Sequence, residues 1–205
     1  MAEDNPKSHK SILIVCHSVH GNTLAMAREI ARGVELAEQA RAIVRSVAPI
    51  TSAIDPVPVA LPDSGPALVS SQDLNDCSGL IVGSPTRFGN MASAVKYFLD
   101  GTGGQWASGA LIGKPGGVFT STATMHGGQE ATLLSMMIPL LHHGMIISGL
   151  PYAEKALSRT QSGGTPYGPS HLAGSDADRG LDDDEIELCR AFGLRIAQLA
   201  IQLDS

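Results

Sequence analysis

Apolar runs alternate with amphipathic segments along the whole chain, and this alternation constrains the fold more than any other feature. The first run, residues 11–16, is almost continuously apolar and rich in β-branched residues. Such a run is typical of a strand buried on both faces of a sheet. A helical stripe follows it, with apolar residues at spacings of three and four: Leu24, Ala27, Ile30, Ala31 and Val34.

The alternation predicts five strand–helix units and no internal repeat. The expected strand cores are residues 11–16, 42–47, 80–82, 117–121 and 145–147. Strands that alternate with helices form a parallel sheet covered by helices on both faces. The predicted fold class is therefore α/β, a flavodoxin-like five-stranded parallel sheet with strand order 2-1-3-4-5.

The domain prediction is a disordered lead-in over residues 1–10 and a single flavodoxin-like domain over residues 11–205. Two segments fit neither strands nor helices. Pro49–Pro66 contains five prolines and is expected to cross the surface. Residues 149–180 are rich in Gly, Ser and Pro, and are too long for a neutral connector in a compact domain.

Three polar loops are expected to meet at one edge of the predicted sheet. In this fold class ligands bind beyond the carboxyl ends of strands 1, 3 and 4. The segments there are Ser18–Thr23, Ser84–Asn90 and Ser121–Gly128, and each is dense in Ser, Thr and Gly. The first precedes a helix, whose free N–H groups and dipole can hold an anion without Lys or Arg. The three loops together predict a nucleotide-like ligand.

The loop sequences narrow the ligand to FMN. A Gly-x-x-x-x-Gly-Lys-[Ser/Thr] motif is absent, which excludes a P-loop for nucleoside triphosphates, and the first loop lacks Gly-x-Gly-x-x-Gly. One phosphate on the first loop, with flat-ring contacts from the other two, matches FMN. Backbone donors near the ring edge would tune the flavin.

Charge and cysteine usage exclude several other classes. The chain has 14 basic and 20 acidic residues and no basic block, which argues against nucleic-acid binding. Its longest apolar runs are far below the ~20 residues that a membrane span requires. The three cysteines, 16, 77 and 189, lie far apart, which argues against structural zinc and a disulfide framework and fits a reducing cytoplasm. No metal ligands are predicted.

The chain resembles the WrbA-type NAD(P)H:quinone oxidoreductases, which are FMN enzymes of the flavodoxin superfamily. The resemblance spans about Ser11 to Leu203. It is carried by Gly83-Ser-Pro-Thr-Arg-Phe-Gly-Asn-Met91 and Phe98-Leu-Asp100, then by Gly103-Gly-Gln-Trp-Ala-Ser-Gly109, Gly127-Gly-Gln-Glu130, His142-His-Gly-Met145 and Gly163-Gly-Thr-Pro-Tyr-Gly168.

This resemblance implies specific roles for the loop residues. Ser18–Thr23 would hold the FMN phosphate, the second loop would line the isoalloxazine, and the third would hold its polar edge. The implied FMN-binding residues are Ser18, Val19, His20, Gly21, Asn22, Thr23, Thr86, Arg87, Phe88, Gly89, Asn90, Ser121, Thr122, Ala123, Thr124, Met125, His126 and His142. The implied substrate-binding residues are Trp106 and His20, and no catalytic acid or base is assigned.

Two positions depart from the family pattern. His20 stands where an aromatic residue, often Tyr, contacts the nicotinamide cofactor, and Met125-His126 enlarge the third loop. These two departures are expected to affect the preference between NADH and NADPH and the choice of electron acceptor.

The predicted activity is an FMN-dependent NAD(P)H:quinone oxidoreductase, with ping-pong hydride transfer from NADH or NADPH through FMN to a small-molecule quinone. The alternative is a flavodoxin-type electron carrier without NAD(P)H-dependent activity. An adaptor that binds protein or DNA is disfavoured by the acidic charge. The resemblance further implies a homotetramer.

Overall fold

The computed structural model describes residues 9–50 and 65–203. Within them seven strands and seven helices follow one another. In chain order the elements are β1 (Lys10–Cys16), α1 (Asn22–Val34), β2 (Ala40–Ser46), α2 (Ser71–Asp76), β3 (Gly79–Arg87), β4 (Asn90–Met91), α3 (Ser93–Asp100), α4 (Gly103–Ser108), β5 (Pro115–Thr122), α5 (Gln129–His142), β6 (Ile146–Ile147), α6 (Ala156–Arg159), β7 (Ser170–Leu172) and α7 (Asp183–Leu203).

The central sheet has the order β2-β1-β3-β5-β6, and all four pairings along this path are parallel. These are the five strands expected from the sequence, so the predicted order 2-1-3-4-5 is confirmed. The burial of β1 agrees with its position inside the sheet, because residues 12–16 are all buried. Ile12 and Ile14 pack into the core on one face of the sheet, whereas Leu13 and Val15 pack into the core on the other face.

The fifth strand position is shared by two separate pieces of chain. β6 pairs with Pro115 and Gly116, at the start of β5, whereas β7 pairs with residues 120–122 at its end. The segment between β6 and β7 therefore leaves the sheet and returns to it. This return gives the long stretch 149–180 a structural role at the carboxyl edge of the sheet.

The second loop predicted from the sequence is largely a strand. Ser84–Arg87 continue β3, where Ser84 and Pro85 pair with Thr120 and Ser121 of β5. The chain then turns at Phe88-Gly89 and pairs back through β4 as an antiparallel hairpin. The Gly, Ser and Pro residues after Val82 concealed this strand, because they are typical turn formers.

Other sequence expectations are corrected or fall outside the described residues. Lys10 was expected in the disordered lead-in, but it begins β1 and pairs with Ala40. The short helices α2, α4 and α6 were not expected. Residues 1–8 and 51–64, which include most of the lead-in and of Pro49–Pro66, lie outside the described residues.

Helices α1 and α7 pack closely because each carries a glycine at the contact. A Cβ atom built on Gly193 of α7 would lie 2.0 Å from the carbonyl oxygen of Ile30 in α1. A Cβ atom on Gly33 of α1 would lie 2.0 Å from the carbonyl oxygen of Arg190 in α7. Both neighbours are backbone atoms, which cannot move aside as a side chain can. The two glycines therefore set how closely α1 and α7 approach each other.

Substitution of Gly193 by Ala is expected to destabilise the protein despite the better helix propensity of Ala. The added methyl group forces α1 and α7 apart, so we expect the free energy of unfolding to fall by about 2 kcal/mol. Urea unfolding followed by circular dichroism measures this change. Gly104→Ala in α4 is the control, because nothing lies within 4 Å of its Cβ position. Equal stability of the two variants would contradict the packing argument.

Candidate functional site

A cleft of about 220 Å³ opens at the carboxyl edge of the sheet. Parts of all three polar loops expected there do meet in it. The lining residues are Ser18, Val19, His20, Asn22, Thr23, Pro85, Thr86, Arg87, Ser121, Thr122, Ala123, Ala173, Gly174, Ser175 and Ala177. Its position is the one at which the fold class binds ligands, beyond the ends of β1, β3 and β5.

The first wall of the cleft is a cradle of backbone N–H groups at residues 19–23, at the start of α1. Gly21 caps the helix in the left-handed conformation, with φ 91°, and has no side chain to cap it, whereas the Ser18 hydroxyl accepts from the N–H of Leu24. Among the described residues, none accepts a hydrogen bond from the backbone N–H groups of residues 19–23. The hydroxyl of Thr23 has no partner there either, although this residue is only 2% exposed. Unpaired donors at a helix N-terminus are the arrangement that binds phosphate.

The second wall of the cleft comes from the end of β3, and the third wall comes from the end of β5. The Thr86 hydroxyl contacts the hydroxyl of Thr132 and donates to the carbonyl of Gly128 at 3.4 Å. These bonds tie β3 to the start of α5. Ser121 and Thr122 are buried where they line the cleft. These two walls offer backbone and small side-chain groups at the place predicted for the isoalloxazine ring.

The tip of the hairpin formed by β3 and β4, next to the second wall, is held in an unusual conformation. Phe88 has φ 52° and Gly89 has φ 74°, so both turn residues are left-handed, as two-residue hairpins require. A Cβ atom on Gly128 would lie 2.8 Å from the Cα of Gly89, so the hairpin touches the third loop. The Phe88 side chain is completely exposed and does not line the cleft.

A fourth wall was missed by the sequence analysis. Four residues from the turn after β7 line the cleft opposite the cradle: Ala173, Gly174, Ser175 and Ala177. The side-chain amide of Asn22 donates to the carbonyl of Ala177 at 2.9 Å, and this bond closes the cleft on that side. The only sequence signal was the unexplained length of residues 149–180.

The fourth wall is anchored by one buried carboxylate, that of Glu185 in α7. Its side chain is fully buried and accepts hydrogen bonds from the backbone N–H groups of Gly163, Leu172 and Asp182, each at 3.0 Å. The ring of His171 also contacts it, at 2.8 Å. Glu185 therefore joins the segment before β7, β7 itself and the start of α7.

Two further groups complete this anchor. A guanidinium nitrogen of Arg179 lies 3.3 Å from Glu185, and the same nitrogen donates to the carbonyl of Leu172 at 2.6 Å. The other His171 nitrogen lies 3.0 Å from the carbonyl of Arg179. Burial alone would raise the pKa of Glu185. The hydrogen bonds and charge of His171, with the backbone N–H donors, outweigh it and leave the pKa below its ordinary value.

Some predicted site residues do not line the cleft. Thr124, Met125 and His126 are exposed on the third loop, and Asn90 pairs with Arg87 on the hairpin. Trp106 and His142 lie towards the opposite edge of the sheet in the same chain. That edge is marked by Gly144, at the end of α5, whose carbonyl accepts from the N–H of Gly113 just before β5.

The three cysteines are buried and unpaired. Burial raises the pKa of Cys16 to about 12 and that of Cys77 to about 11, and it also raises the pKa of Cys189. All three are therefore thiols at neutral pH and poor nucleophiles. Redox chemistry in the cleft has to come from a bound group.

The fold defines a flavodoxin-like protein with a cleft at the carboxyl edge of its sheet. Solved structures share this fold: a WrbA-like flavodoxin from Agrobacterium tumefaciens has a TM-score of 0.65 and 23% identity, covering 94% of this chain and 98% of its own. A flavodoxin from the domain Archaea has a TM-score of 0.62 and 21% identity, covering 95% and 99%.

The chain belongs to the NADPH-dependent FMN reductase family, which it matches over residues 10–156. Two curated relatives carry the name NAD(P)H dehydrogenase (quinone). The protein from Solidesulfovibrio magneticus is 40% identical over 94% of this chain and 98% of its own length. The protein from Gluconacetobacter diazotrophicus is 41% identical over 95% of this chain and 98% of its own.

Substitution of Glu185 by Gln is expected to loosen the fourth wall. The amide group places N–H donors against other donors in a buried site, so we expect the free energy of unfolding at pH 7 to fall by about 3 kcal/mol. Glu187→Gln, at a half-exposed glutamate paired with Arg159, is the control and should change it by less than about 1 kcal/mol. Urea unfolding measures both variants.

The pH dependence of the same comparison tests the pKa of Glu185. Its folded pKa is below the ordinary value of 4.5, so the ionised carboxylate contributes stability above pH 4.5. That contribution is lost as the pH falls through the folded pKa. The stability gap between wild type and Glu185→Gln should therefore be constant above pH 4.5 and shrink below it. A gap that widens on acidification would contradict the assignment.

Proposed function

We propose that this chain is an FMN-dependent NAD(P)H:quinone oxidoreductase. The observation that carries the proposal is the cradle of unpaired donors at residues 19–23, within a family described as NADPH-dependent FMN reductases. The curated relatives named NAD(P)H dehydrogenase (quinone), which match almost the full chain, supply the quinone as acceptor.

The residues present fit FMN. The phosphate would be held by the backbone N–H groups of residues 19–23 and the hydroxyl of Thr23, which lack acceptors among the described residues. Ser18 orients this loop, because its hydroxyl accepts from the N–H of Leu24 at 3.3 Å. Each charge-assisted bond to a phosphate stabilises the complex by roughly 1.5–3 kcal/mol. Thr86 and Ser121–Ala123 would contact the ring.

When bound, FMN supplies the two-electron chemistry by which hydride passes from NAD(P)H to a quinone. The residues of the chain would bind the FMN, orient it and enclose it. Thr86 is locked against α5, Ser121 and Thr122 are buried, and Asn22 ties the cradle to the fourth wall. No side chain of the cleft is assigned as an acid or base. Because one cleft would serve both substrates in turn, the kinetics should be ping-pong.

The direct test is anaerobic stopped-flow absorbance on FMN-loaded protein. We expect NADPH or NADH to bleach the visible absorbance band of the oxidised flavin, and a benzoquinone to restore it. The control is the protein carrying Thr23→Val, which should bind FMN less tightly because one donor is lost. Failure of both nicotinamides to bleach the flavin, or accumulation of a stable one-electron form on photoreduction, would favour an electron carrier.

We also propose that Trp106 and His142 serve the cleft of a neighbouring copy, in a cytoplasmic homotetramer. Within one chain they lie at the wrong edge of the sheet. Support comes from large apolar side chains that stand exposed on α3–α5 and the α4–β5 connection: Tyr97, Trp106, Ile112, Leu134, Ile138 and Leu141. An exposed apolar surface of this kind is typical of an interface. No helix of the described chain is long and apolar enough to cross a membrane.

Subunit complementation tests this assembly. Trp106→Ala protein and Thr23→Val protein, each impaired alone, are unfolded together and refolded as a mixture. A mixed tetramer contains intact cradles facing intact tryptophans, so quinone reduction should exceed the average of the two parents by about twofold. Tyr152→Ala, at an exposed aromatic outside this surface, is the control. Sedimentation of the wild type as a monomer would contradict the proposal.

A further inference from the structure

A second pocket adjoins the cleft and is lined by positively charged side chains. It lies beyond Arg87, which faces both cavities, and its other lining residues include His17, Lys96, Asn90 and Ser93. No carboxylate is among the residues that line it in the described parts of the chain. The cradle at residues 19–23 contains neither Lys nor Arg, so it offers backbone N–H groups, whereas this pocket offers the side-chain charges of Arg87 and Lys96.

We infer that this basic pocket binds a phosphate group of the nicotinamide co-substrate. This inference rests on the proposed function. FMN has a single phosphate, which the uncharged cradle accommodates, so the charges of Arg87 and Lys96 are not needed to hold that phosphate. NADH and NADPH bring further phosphates into a chain with net charge −6. A local cluster of positive charge is needed to attract such an anion against the overall field.

The pocket side chains are suited to this ligand. The positive charge of Arg87 acts on the half-buried His17. Burial lowers the pKa of His17 most, and the charge of Arg87 lowers it further. His17 is therefore an uncharged N–H donor at neutral pH. Lys96 is half-exposed and forms an ion pair with Asp100, one turn further along α3. Asp100 holds the ammonium group in place and also competes with an incoming phosphate.

A ligand in this pocket can extend into the cleft because the two cavities share Arg87. The guanidinium group donates to the carbonyl of Thr86 at 2.8 Å, and this bond places Arg87 at the boundary. NADH and NADPH have the required form, because their diphosphate joins the nicotinamide nucleoside to the adenosine, and NADPH carries a further phosphate on the adenosine ribose. The pocket thus gives the co-substrate a phosphate anchor outside the flavin cleft.

The test measures phosphate binding directly, by isothermal titration calorimetry at low ionic strength. The probes are 2′,5′-ADP, which carries the 2′-phosphate of NADPH, and ADP, which carries the diphosphate of both co-substrates. Adenosine is the control without phosphate. The variants are Lys96→Gln, which removes a pocket charge, Asp100→Asn, which frees Lys96, and Lys155→Gln, which removes an exposed charge elsewhere.

At least one phosphate probe should bind the wild type more tightly than adenosine does. For that probe, Lys96→Gln should raise Kd about threefold, Asp100→Asn should lower Kd about twofold, and Lys155→Gln should leave Kd unchanged. The differences should disappear in about 0.5 M salt. The concentration of the matching co-substrate that gives half-maximal flavin reduction should follow the same order. Preference for 2′,5′-ADP over ADP would assign the pocket to the 2′-phosphate.

Equal Kd values for wild type, Lys96→Gln and Asp100→Asn would overturn the inference, as would the absence of phosphate-dependent binding to the wild type. Either result in a protein whose flavin is bleached by NAD(P)H would leave the proposed function intact. Failure of both nicotinamides to bleach the flavin would instead overturn the proposed function itself.

Discussion

The cleft depends on the buried carboxylate of Glu185 more than on any other interaction. An isolated carboxylate in the interior is very unfavourable unless it is hydrogen-bonded and paired. Here N–H donors from Gly163, Leu172 and Asp182 satisfy it, together with His171 and Arg179. Because those donors come from separate parts of the chain, satisfying the charge also gathers them. The turn that closes the cleft is positioned as a consequence.

Close packing around glycines holds the sheet and helices in the geometry that this arrangement needs. A Cβ atom on Gly83 would lie 2.1 Å from the ring of Phe119, and one on Gly117 would lie 2.3 Å from the ring of Phe192. Phe192 belongs to α7, the helix that carries Glu185 seven residues earlier. The depth at which α7 packs on the sheet therefore also sets the position of the anchor for the fourth wall.

The two proposed binding sites would attract an anion in two different ways. At residues 19–23 the donors are backbone N–H groups at a helix N-terminus, which form a fixed and short-ranged site. Beyond Arg87 the attraction comes from side-chain charges, whose field reaches further and is screened by salt. A tightly held cofactor suits the first kind of site. A co-substrate that must enter and leave suits the second.

Local sequence pattern was sufficient for the fold class, the strand order and the sheet edge at which the cleft lies. Strands and helices have periods of 2 and 3.6 residues, and these periods, with turn residues between them, are encoded within short windows of chain. The strand order then followed from the handedness of parallel connections. The cradle at Ser18–Thr23 could be predicted for the same reason, since a strand, a small polar turn and a helix are contiguous.

Only the tertiary structure decided which chain segments complete the cleft. β7 pairs with β5, about fifty residues earlier, and Asn22 bonds Ala177 across 155 residues. Glu185 bonds Gly163 across 22 residues. No local pattern records such contacts, because their energy depends on burial and on donors that distant segments bring together. The same reason explains why Trp106 and His142, which resemblance assigned to the flavin site, lie at the opposite edge of their own chain.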